Sequence, residues 1–180
     1  MKLILESWRK FLDEEVVPCQ SGVEELATFA HQGQFRRSGE PYITHPKAVA
    51  HFAEEFGYSN LIKHAAYLHD TLEDYKDPAE MAKKIDEICP EEKPKLLKII
   101  LELTHDKSVA YTDYVLSLSL EGRAVKLLDM YHNSMDLEPG SRQYNKYQQA
   151  LQGVIEVAGG KPEGINDDHW AALTKQLGIE

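Results

Sequence analysis

Four side chains that could do chemistry lie within one short stretch of the chain: His69, Asp70, Glu73 and Asp74. They follow an apolar run typical of a buried helix, and on a helix residues three and four apart are neighbours. His69 is therefore expected beside Glu73, and Asp70 beside both Glu73 and Asp74. Three carboxylates so close together repel one another, and a bound cation would compensate for them. A frayed, solvated helix end is the alternative, although these acids would then oppose the helix dipole.

A second polar group, Asp129, His132, Asn133 and Asp136, follows the i, i+3, i+4, i+7 spacing that normally marks a buried apolar stripe. The stripe begins as an apolar one at Val125 and turns polar halfway along the predicted helix. Such a change indicates a helix that lines a wet or metal-filled cavity, or one that reaches the surface there. We favour the cavity.

His45 precedes Pro46, which holds it extended at the entrance of a predicted helix. With His69, Asp70 and Asp129 it offers two imidazoles and two carboxylates. This donor set suits Mn²⁺, Fe²⁺, Zn²⁺ or Mg²⁺, with positions left open for water. The remaining histidines that we considered are interpreted as surface or hydrogen-bonded groups: His31, His51, His64, His105 and His169.

The elements that must position these residues are predicted to be helical. Apolar residues recur with the helical period, as in the segment 96–103, and no segment has a convincing hairpin pattern. Stop and start signals divide the chain into about ten helices, with Asn60 able to cap the one that follows it. Their approximate ranges are 2–15, 20–33, 46–57, 60–75, 78–88, 91–105, 109–118, 122–137, 141–159 and 167–177. The prediction is an all-α fold, a single domain over 1–180.

The connection 33–45 differs from the others because it is long, aperiodic and rich in glycine and arginine. Loops of that length are usually functional or disordered. Its aromatic residues and Ile43 indicate that it is ordered.

Composition and charge exclude several classes of function. The chain has 180 residues, 42% of them hydrophobic, and a formal net charge of −10. No apolar run approaches the roughly 20 residues of a membrane helix, and the acidic balance disfavours general binding to nucleic acid polymers. Cys19 and Cys89 have no CxxC spacing and are predicted to be free thiols. No signal-peptide pattern is present, so a cytoplasmic location is expected, while homo-oligomer formation stays open.

Three motifs carry a family resemblance: the segment 30–46, the segment 68–74, and the segment 125–129 with His132 and Asn133. Together they resemble the HD hydrolase domain of the Rel/SpoT alarmone enzymes. The segment 102–107 resembles the stand-alone small alarmone hydrolases, which include the metazoan SpoT homologue. The resemblance covers about 20–150 and leaves 1–19 and 160–180 as peripheral helices.

The resemblance implies an all-α HD phosphohydrolase with one Mn²⁺ ion. It would hydrolyse the 3′-pyrophosphate of ppGpp or pppGpp to GDP or GTP and pyrophosphate. The implied metal ligands are His45, His69, Asp70 and Asp129, and the acids that orient and activate water are Glu73 and Asp74. The implied substrate-binding residues are Arg36, Arg37, Lys107, Asn133 and Lys146.

Some residues depart from the pattern of that family, among them Tyr75, Leu128 and Met130. We expect them to alter the pocket wall, which keeps the adenine analogue (p)ppApp open as a substrate. Hydrolysis of NADPH or of a nucleoside monophosphate also stays open, as does nucleotide binding without turnover.

Overall fold

The computed structural model describes residues 19–179, and every regular element within them is helical. The α-helices are α1 Cys19–Ala30, α2 Thr44–Glu55, α3 Asn60–Leu68, α4 Thr71–Asp74, α5 Pro78–Ile88, α6 Lys95–Leu103, α7 Tyr111–Ser117, α8 Leu120–Ser134, α9 Arg142–Ala158 and α10 Asp167–Gln176. A 3₁₀ turn, Pro90–Glu92, links α5 to α6. The all-α prediction is confirmed, while the helix predicted at 2–15 lies outside the described residues.

Helix α8 forms the centre of the fold and packs against α2, α3, α6 and α10. Its side chains Val125, Leu127, Leu128 and Met130 are fully buried. A helix that is apolar on most of its circumference is stable only inside the core, and each such side chain contributes about 1.5–3 kcal/mol on burial. Leu128 and Met130 therefore belong to the core, and the expectation that they shape the pocket wall is wrong.

Side-chain caps define where several helices begin. Ser59 is the N-cap of α3 and accepts a hydrogen bond from the backbone N–H of Ile62, so the cap expected at Asn60 lies one residue earlier. Asp77 caps α5 by accepting from Ala79 and Glu80. Such caps satisfy amide groups that the helix itself leaves without partners.

The helix predicted over 60–75 is divided at His69 and Asp70. Helix α3 ends at Leu68, and the chain turns through these two residues before the four-residue helix α4. The hydroxyl of Thr71 donates to the Leu68 carbonyl over 2.7 Å, which satisfies an acceptor at the end of α3. The turn places the His–Asp pair at a junction between two helices.

The loop 33–45 is ordered by its own backbone hydrogen bonds. Arg36 N–H donates to the Glu40 carbonyl over 2.8 Å, and Tyr42 N–H donates to the Gln34 carbonyl over 2.9 Å. An isolated antiparallel bridge pairs Phe35 with Pro41, which is a short hairpin that the sequence pattern did not indicate. The tip of this loop therefore has a defined position relative to α2.

Cys19 and Cys89 are joined as a disulfide, which contradicts the prediction of two free thiols. Cys19 opens α1, and Cys89 follows the last residue of α5, which packs beside α1. The two cysteines are 70 residues apart in sequence, so their spacing gave no indication that they meet. Among residues 19–179, no helix combines the length and apolar character needed to cross a membrane.

Candidate metal centre

Side chains from three parts of the chain converge on one point in the core. His45 comes from the first turn of α2, His69 and Asp70 from the turn after α3, and Asp129 from α8. The Nε2 atoms of His45 and His69 are 3.2 Å apart. His45 Nε2 lies 3.0 Å from Asp129 Oδ1 and 3.6 Å from Asp70 Oδ2. His69 Nε2 lies 3.1 Å from Asp70 Oδ2 and 3.7 Å from Asp129 Oδ1.

The hydrogen-bond partner of His69 identifies the ring nitrogen that a neutral imidazole would offer to a metal ion. Its Nδ1 lies 2.7 Å from the carbonyl of Ala66, which can only accept, so Nδ1 carries the proton. The Nε2 lone pair of the neutral ring then points at a second imidazole and at carboxylate oxygens. Lone pairs that face one another in a buried site need a cation between them. The donor set therefore fits a divalent metal ion.

The charges of the cluster lead to the same conclusion. Burial lowers the pKa of His69, but the carboxylates of Asp70 and Asp129 outweigh burial and raise it to about 10. Burial raises the pKa of Asp70, and the His69 imidazolium more than offsets this and lowers it overall. Without a metal, a proton on His69 thus offsets part of the negative charge of Asp70 and Asp129. A divalent cation would replace that positive charge, and metal uptake would release the proton.

Three neighbours of this cluster were not predicted from the sequence. Tyr42 donates its hydroxyl to Asp70 Oδ2 over 2.7 Å. His132, which was noted in a polar stripe and in a family motif but was given no role, places its Nδ1 2.7 Å from His45 Nδ1. Burial and the neighbouring His45 lower the pKa of His132 to about 4, so it is neutral near pH 7. His132 contacts the outer ring nitrogen of His45, and Tyr42 holds the Asp70 oxygen that faces both histidines, so the two contacts orient His45 and Asp70.

Lys126 is the third neighbour, and its ammonium lies 2.7 Å from Asp129 Oδ2. Burial lowers the pKa of Lys126, but the Asp129 carboxylate outweighs burial and holds the pKa well above its usual value. Lys126 and Asp129 are three residues apart on α8, so the i, i+3 rule could have identified the pair. The ion pair holds one carboxylate oxygen of Asp129 and leaves Oδ1 directed at the histidines.

Replacing Lys126 with methionine is expected to lower the free energy of unfolding by about 3 kcal/mol, because removing one partner leaves the other charge buried and unpaired. Urea denaturation measures this change. Lys98→Met is the matched control, because the Lys98 side chain is 75% exposed and its loss should change stability by no more than about 0.5 kcal/mol. Equal effects of the two substitutions would contradict a stabilising role for the Lys126 pair.

Glu73 and Asp74 lie on α4 at the rim of the cluster. The backbone N–H of His105 donates to Glu73 Oε1 over 2.7 Å. Asp74 Oδ2 lies 3.7 Å from Nδ1 of His31, a buried residue that the sequence analysis did not assign to the site. Burial and then repulsion from Asp70 raise the pKa of Asp74. Both acids are exposed at this rim and can meet a ligand that enters from solvent.

Two of the predicted substrate-binding residues lie beside the cluster, Asn133 in contact with Asp129 and Arg36 in contact with Asn133. Asn133 donates from Nδ2 to Asp129 Oδ1 over 2.6 Å. One guanidinium nitrogen of Arg36 lies 3.5 Å from Asn133 Oδ1 and 3.5 Å from Asp136 Oδ2. Asp136 has a side chain that is 75% exposed, so the polar stripe on α8 runs from the buried cluster out to solvent.

The other predicted basic residues are more distant from the cluster. Lys146 on α9 holds its ammonium 4.0 Å from the ring centroid of Tyr111. The Lys126 ammonium lies 5.9 Å from the same ring, so Lys146 is on the Lys126 side of the cluster. Burial and then repulsion from Lys126 lower the pKa of Lys146. Arg37 and Lys107 are exposed. The structure therefore brings Arg36, Asn133 and Lys146 to the region of the cluster and leaves Arg37 and Lys107 directed to solvent.

An all-helical fold that directs two histidines and two aspartates at one buried point defines a class of helical domain suited to holding a divalent cation. A sequence profile of the HD domain family matches residues 24–126. The match covers more than half of the 180 residues, and the chain belongs to the HD domain family. The matched region includes the His69–Asp70 pair and ends three residues before Asp129.

Several curated proteins are similar in sequence. A guanosine-3′,5′-bis(diphosphate) 3′-pyrophosphohydrolase of Haemophilus influenzae is 32% identical over 163 residues, which cover 86% of this chain and 22% of that protein. The bifunctional (p)ppGpp synthase/hydrolase SpoT of Escherichia coli is 31% identical over 165 residues, covering 86% of this chain and 23% of that protein. The chain thus spans less than a quarter of the length of these relatives.

A solved structure shares the fold. It belongs to a metazoan orthologue of SpoT, described as hydrolysing ppGpp and acting in starvation responses, and it superposes with a TM-score of 0.68. The superposition covers 91% of this chain and 97% of that one, at 20% sequence identity. The likeness therefore extends over nearly the whole of a protein of similar size.

Proposed function

We propose that this chain is a metal-dependent hydrolase that removes the 3′-pyrophosphate of ppGpp or pppGpp, giving GDP or GTP and pyrophosphate. The observation that carries the proposal is the convergence of His45, His69, Asp70 and Asp129 on one point beside two further acids. The functions of the curated relatives and of the metazoan SpoT orthologue support the choice of substrate.

We assign the metal to the Nε2 atoms of His45 and His69 and to carboxylate oxygens of Asp70 and Asp129, and we propose Mn²⁺ as its identity. Mixed imidazole and carboxylate donors suit Mn²⁺, and no thiolate lies among these four. When bound, a divalent ion lowers the pKa of a water molecule and neutralises charge on the pyrophosphoryl group.

Glu73 and Asp74 are proposed to orient the attacking water and to accept its proton. The raised pKa of Asp74 brings this carboxylate closer to the pH at which a general base works well. The water oxygen forms a bond to phosphorus, the bond between phosphorus and the ribose 3′ oxygen breaks, and the proton passes to that oxygen.

The basic residues are proposed to hold the phosphates and the nucleoside. Arg36 and Asn133 border the cluster, and Lys146 approaches from α9. Arg37 and Lys107 are exposed and would contact the substrate from the rim. Phosphoryl transfer depends mainly on alignment and on compensation of charge, which guanidinium and ammonium groups provide.

Replacing Arg36 with glutamine is expected to raise the KM for ppGpp by about 10- to 100-fold with a smaller change in kcat. A hydrogen bond from a charged group contributes about 1.5–3 kcal/mol, and an interaction made equally in the ground and transition states appears in KM. Steady-state kinetics with saturating Mn²⁺ measures both constants. Lys83→Gln on α5, whose side chain is 77% exposed, is the matched control and should leave KM unchanged. A KM for Arg36→Gln equal to that of the control would remove Arg36 from the binding site.

A nucleotide panel assayed with Mn²⁺, with Mg²⁺ and with a chelator tests the proposed function. The panel contains ppGpp, pppGpp, ppApp, NADPH and a nucleoside monophosphate. We expect pyrophosphate release from the two guanosine substrates with Mn²⁺ and none with the chelator. Release from ppApp alone would change the assigned base, and no turnover of any compound with metal present would refute the proposal.

A further inference from the structure

A second cluster of metal-binding side chains lies beside the middle of α3. It consists of Cys19, His64, Cys89 and Glu92, whose donor atoms all lie within 4.8 Å of one another. His64 Nδ1 is 3.2 Å from Cys19 Sγ and 2.9 Å from Glu92 Oε2. Cys89 and His64 are buried, and the Glu92 side chain is 15% exposed. These residues share no member with the HD cluster.

The environment of His64 shows which nitrogen is directed into this second cluster. Gln20 donates its amide N–H to Glu24 over 2.5 Å, so its amide oxygen is the atom 3.2 Å from His64 Nε2. That oxygen can only accept, and His64 Nε2 therefore carries a proton. Nδ1 faces the sulfur and the carboxylate. Histidines that bind zinc in proteins have a similar arrangement. One ring N–H donates to an oxygen acceptor, and the other ring nitrogen faces the metal and its remaining ligands.

We propose that, when its two cysteines are reduced, this chain binds one Zn²⁺ through Cys19, His64, Cys89 and Glu92. Tetrahedral zinc with bonds of about 2.0–2.3 Å places its ligand atoms about 3.3–3.8 Å apart, and three of the donor pairs here bracket that range with separations of 2.9–4.0 Å. Thiolates select zinc over the manganese that suits the HD cluster.

The disulfide and the zinc site are two states of the same pair of sulfurs. Reduction of the disulfide takes up two electrons and two protons from a dithiol, which itself becomes a disulfide. Binding of Zn²⁺ to the two thiols then releases their two protons to solvent. Disulfides are rare where cellular dithiols keep cysteines reduced, and there the zinc form is the expected one.

Zinc at this position would join three segments of the fold. Cys19 begins α1, His64 lies in α3, Cys89 precedes the 3₁₀ turn after α5, and Glu92 is the last residue of that turn. Because no such site exists in the unfolded chain, zinc binding would stabilise the folded state. Helix α3 also leads directly into His69 and Asp70, so the second site would anchor the helix that presents them.

Metal analysis of the complete chain tests this proposal without relying on catalytic activity. The protein is kept reduced with a phosphine, loaded with Zn²⁺ and dialysed against metal-free buffer. We expect about one tightly held Zn²⁺ per chain in Asp70→Asn, where the HD cluster is impaired, and one equivalent more in the unaltered protein than in Cys89→Ser. Cys89→Ser should lose that equivalent. Glu91→Gln, at the exposed residue next to Glu92, should keep it.

Cobalt provides a second readout that does not require any variant to fold. Co²⁺ bound by the two cysteines gives a thiolate-to-metal charge-transfer absorption, which the imidazoles and carboxylates of the HD cluster cannot produce. We expect this band in the reduced protein and expect Zn²⁺ to displace it. Gln20→Ala should weaken zinc binding by about 10- to 100-fold, because it removes the acceptor that orients His64. Reduced Asp70→Asn with two titratable thiols but no retained zinc, together with no such band in the unaltered protein, would overturn the proposal.

Discussion

Replacing Asp70 with asparagine is expected to lower the rate of pyrophosphate release from ppGpp by at least about 10³-fold. Metal-assisted stabilisation of charge contributes several kcal/mol to the transition state, and every 1.36 kcal/mol corresponds to about tenfold in rate. Asparagine keeps an oxygen that can accept the Tyr42 hydroxyl bond but lacks the charge that attracts the metal. The rate is measured at saturating substrate over a range of Mn²⁺ concentrations.

The control for Asp70→Asn is Asp113→Asn, which changes an exposed aspartate on α7 and should keep full activity. Calorimetric titration should show Mn²⁺ bound by Asp113→Asn and much weaker binding by Asp70→Asn. Full activity of Asp70→Asn at low Mn²⁺ would show that Asp70 does not hold the ion. The thermal transition of both variants reports whether either has lost its fold.

The second large effect is expected at Glu73 and Asp74. Glu73→Gln and Asp74→Asn should each lower kcat by about 10²- to 10⁴-fold, the usual contribution of general acid–base catalysis. Glutamine at position 73 keeps an oxygen that can accept from the His105 N–H. A fall in kcat therefore reports impaired proton transfer and not displacement of the loop that contains His105. Single-turnover kinetics with saturating Mn²⁺ separates the chemical step from product release.

Metal affinity distinguishes these two acids from the proposed ligands. We expect Glu73→Gln and Asp74→Asn to bind Mn²⁺ within a few-fold of the unaltered protein, because their carboxylates lie at the rim of the cluster. Glu87→Gln on α5, with a side chain that is 61% exposed, is the control and should retain kcat. If both rim variants kept kcat, the proton would have to be accepted by another group.

The sequence allowed the convergence of His45, His69, Asp70 and Asp129 to be predicted because their side-chain types are informative. Burying two imidazoles and two carboxylates destabilises the folded state unless a ligand compensates for them. Their positions, where apolar helical stripes turn polar, indicated that they are buried together. The fold agrees with this expectation, because α8 buries its apolar residues and also buries Asp129 in the same interior. Residue pattern and donor chemistry suggested these four side chains, and the resemblance to the Rel/SpoT hydrolase domain supplied their proposed roles.

Other contacts depend on tertiary geometry that sequence patterns do not encode. Tyr42 reaches Asp70 because the loop 33–45 closes on itself through backbone hydrogen bonds. Cys19 and Cys89 meet because α1 packs beside α5. Neither glycine nor proline marks the break between α3 and α4, so the helical period continued across it in the sequence.

Leu128 shows a different source of error. Its departure from the family pattern suggested an altered pocket wall, but the side chain is fully buried in the core. Residues next to each other on a helix point in different directions, and Leu128 has no exposed surface, whereas the adjacent Asp129 enters the cluster. Proximity in sequence to a functional residue therefore did not indicate proximity to the pocket.

Anomalous scattering from a crystal of this chain soaked in Mn²⁺ would show whether the four side chains hold a metal ion. We expect one manganese peak bonded to His45, His69, Asp70 and Asp129, with Glu73 and Asp74 beside it. No peak at that position, or manganese held only by other side chains such as the Cys19 and Cys89 cluster, would contradict this expectation.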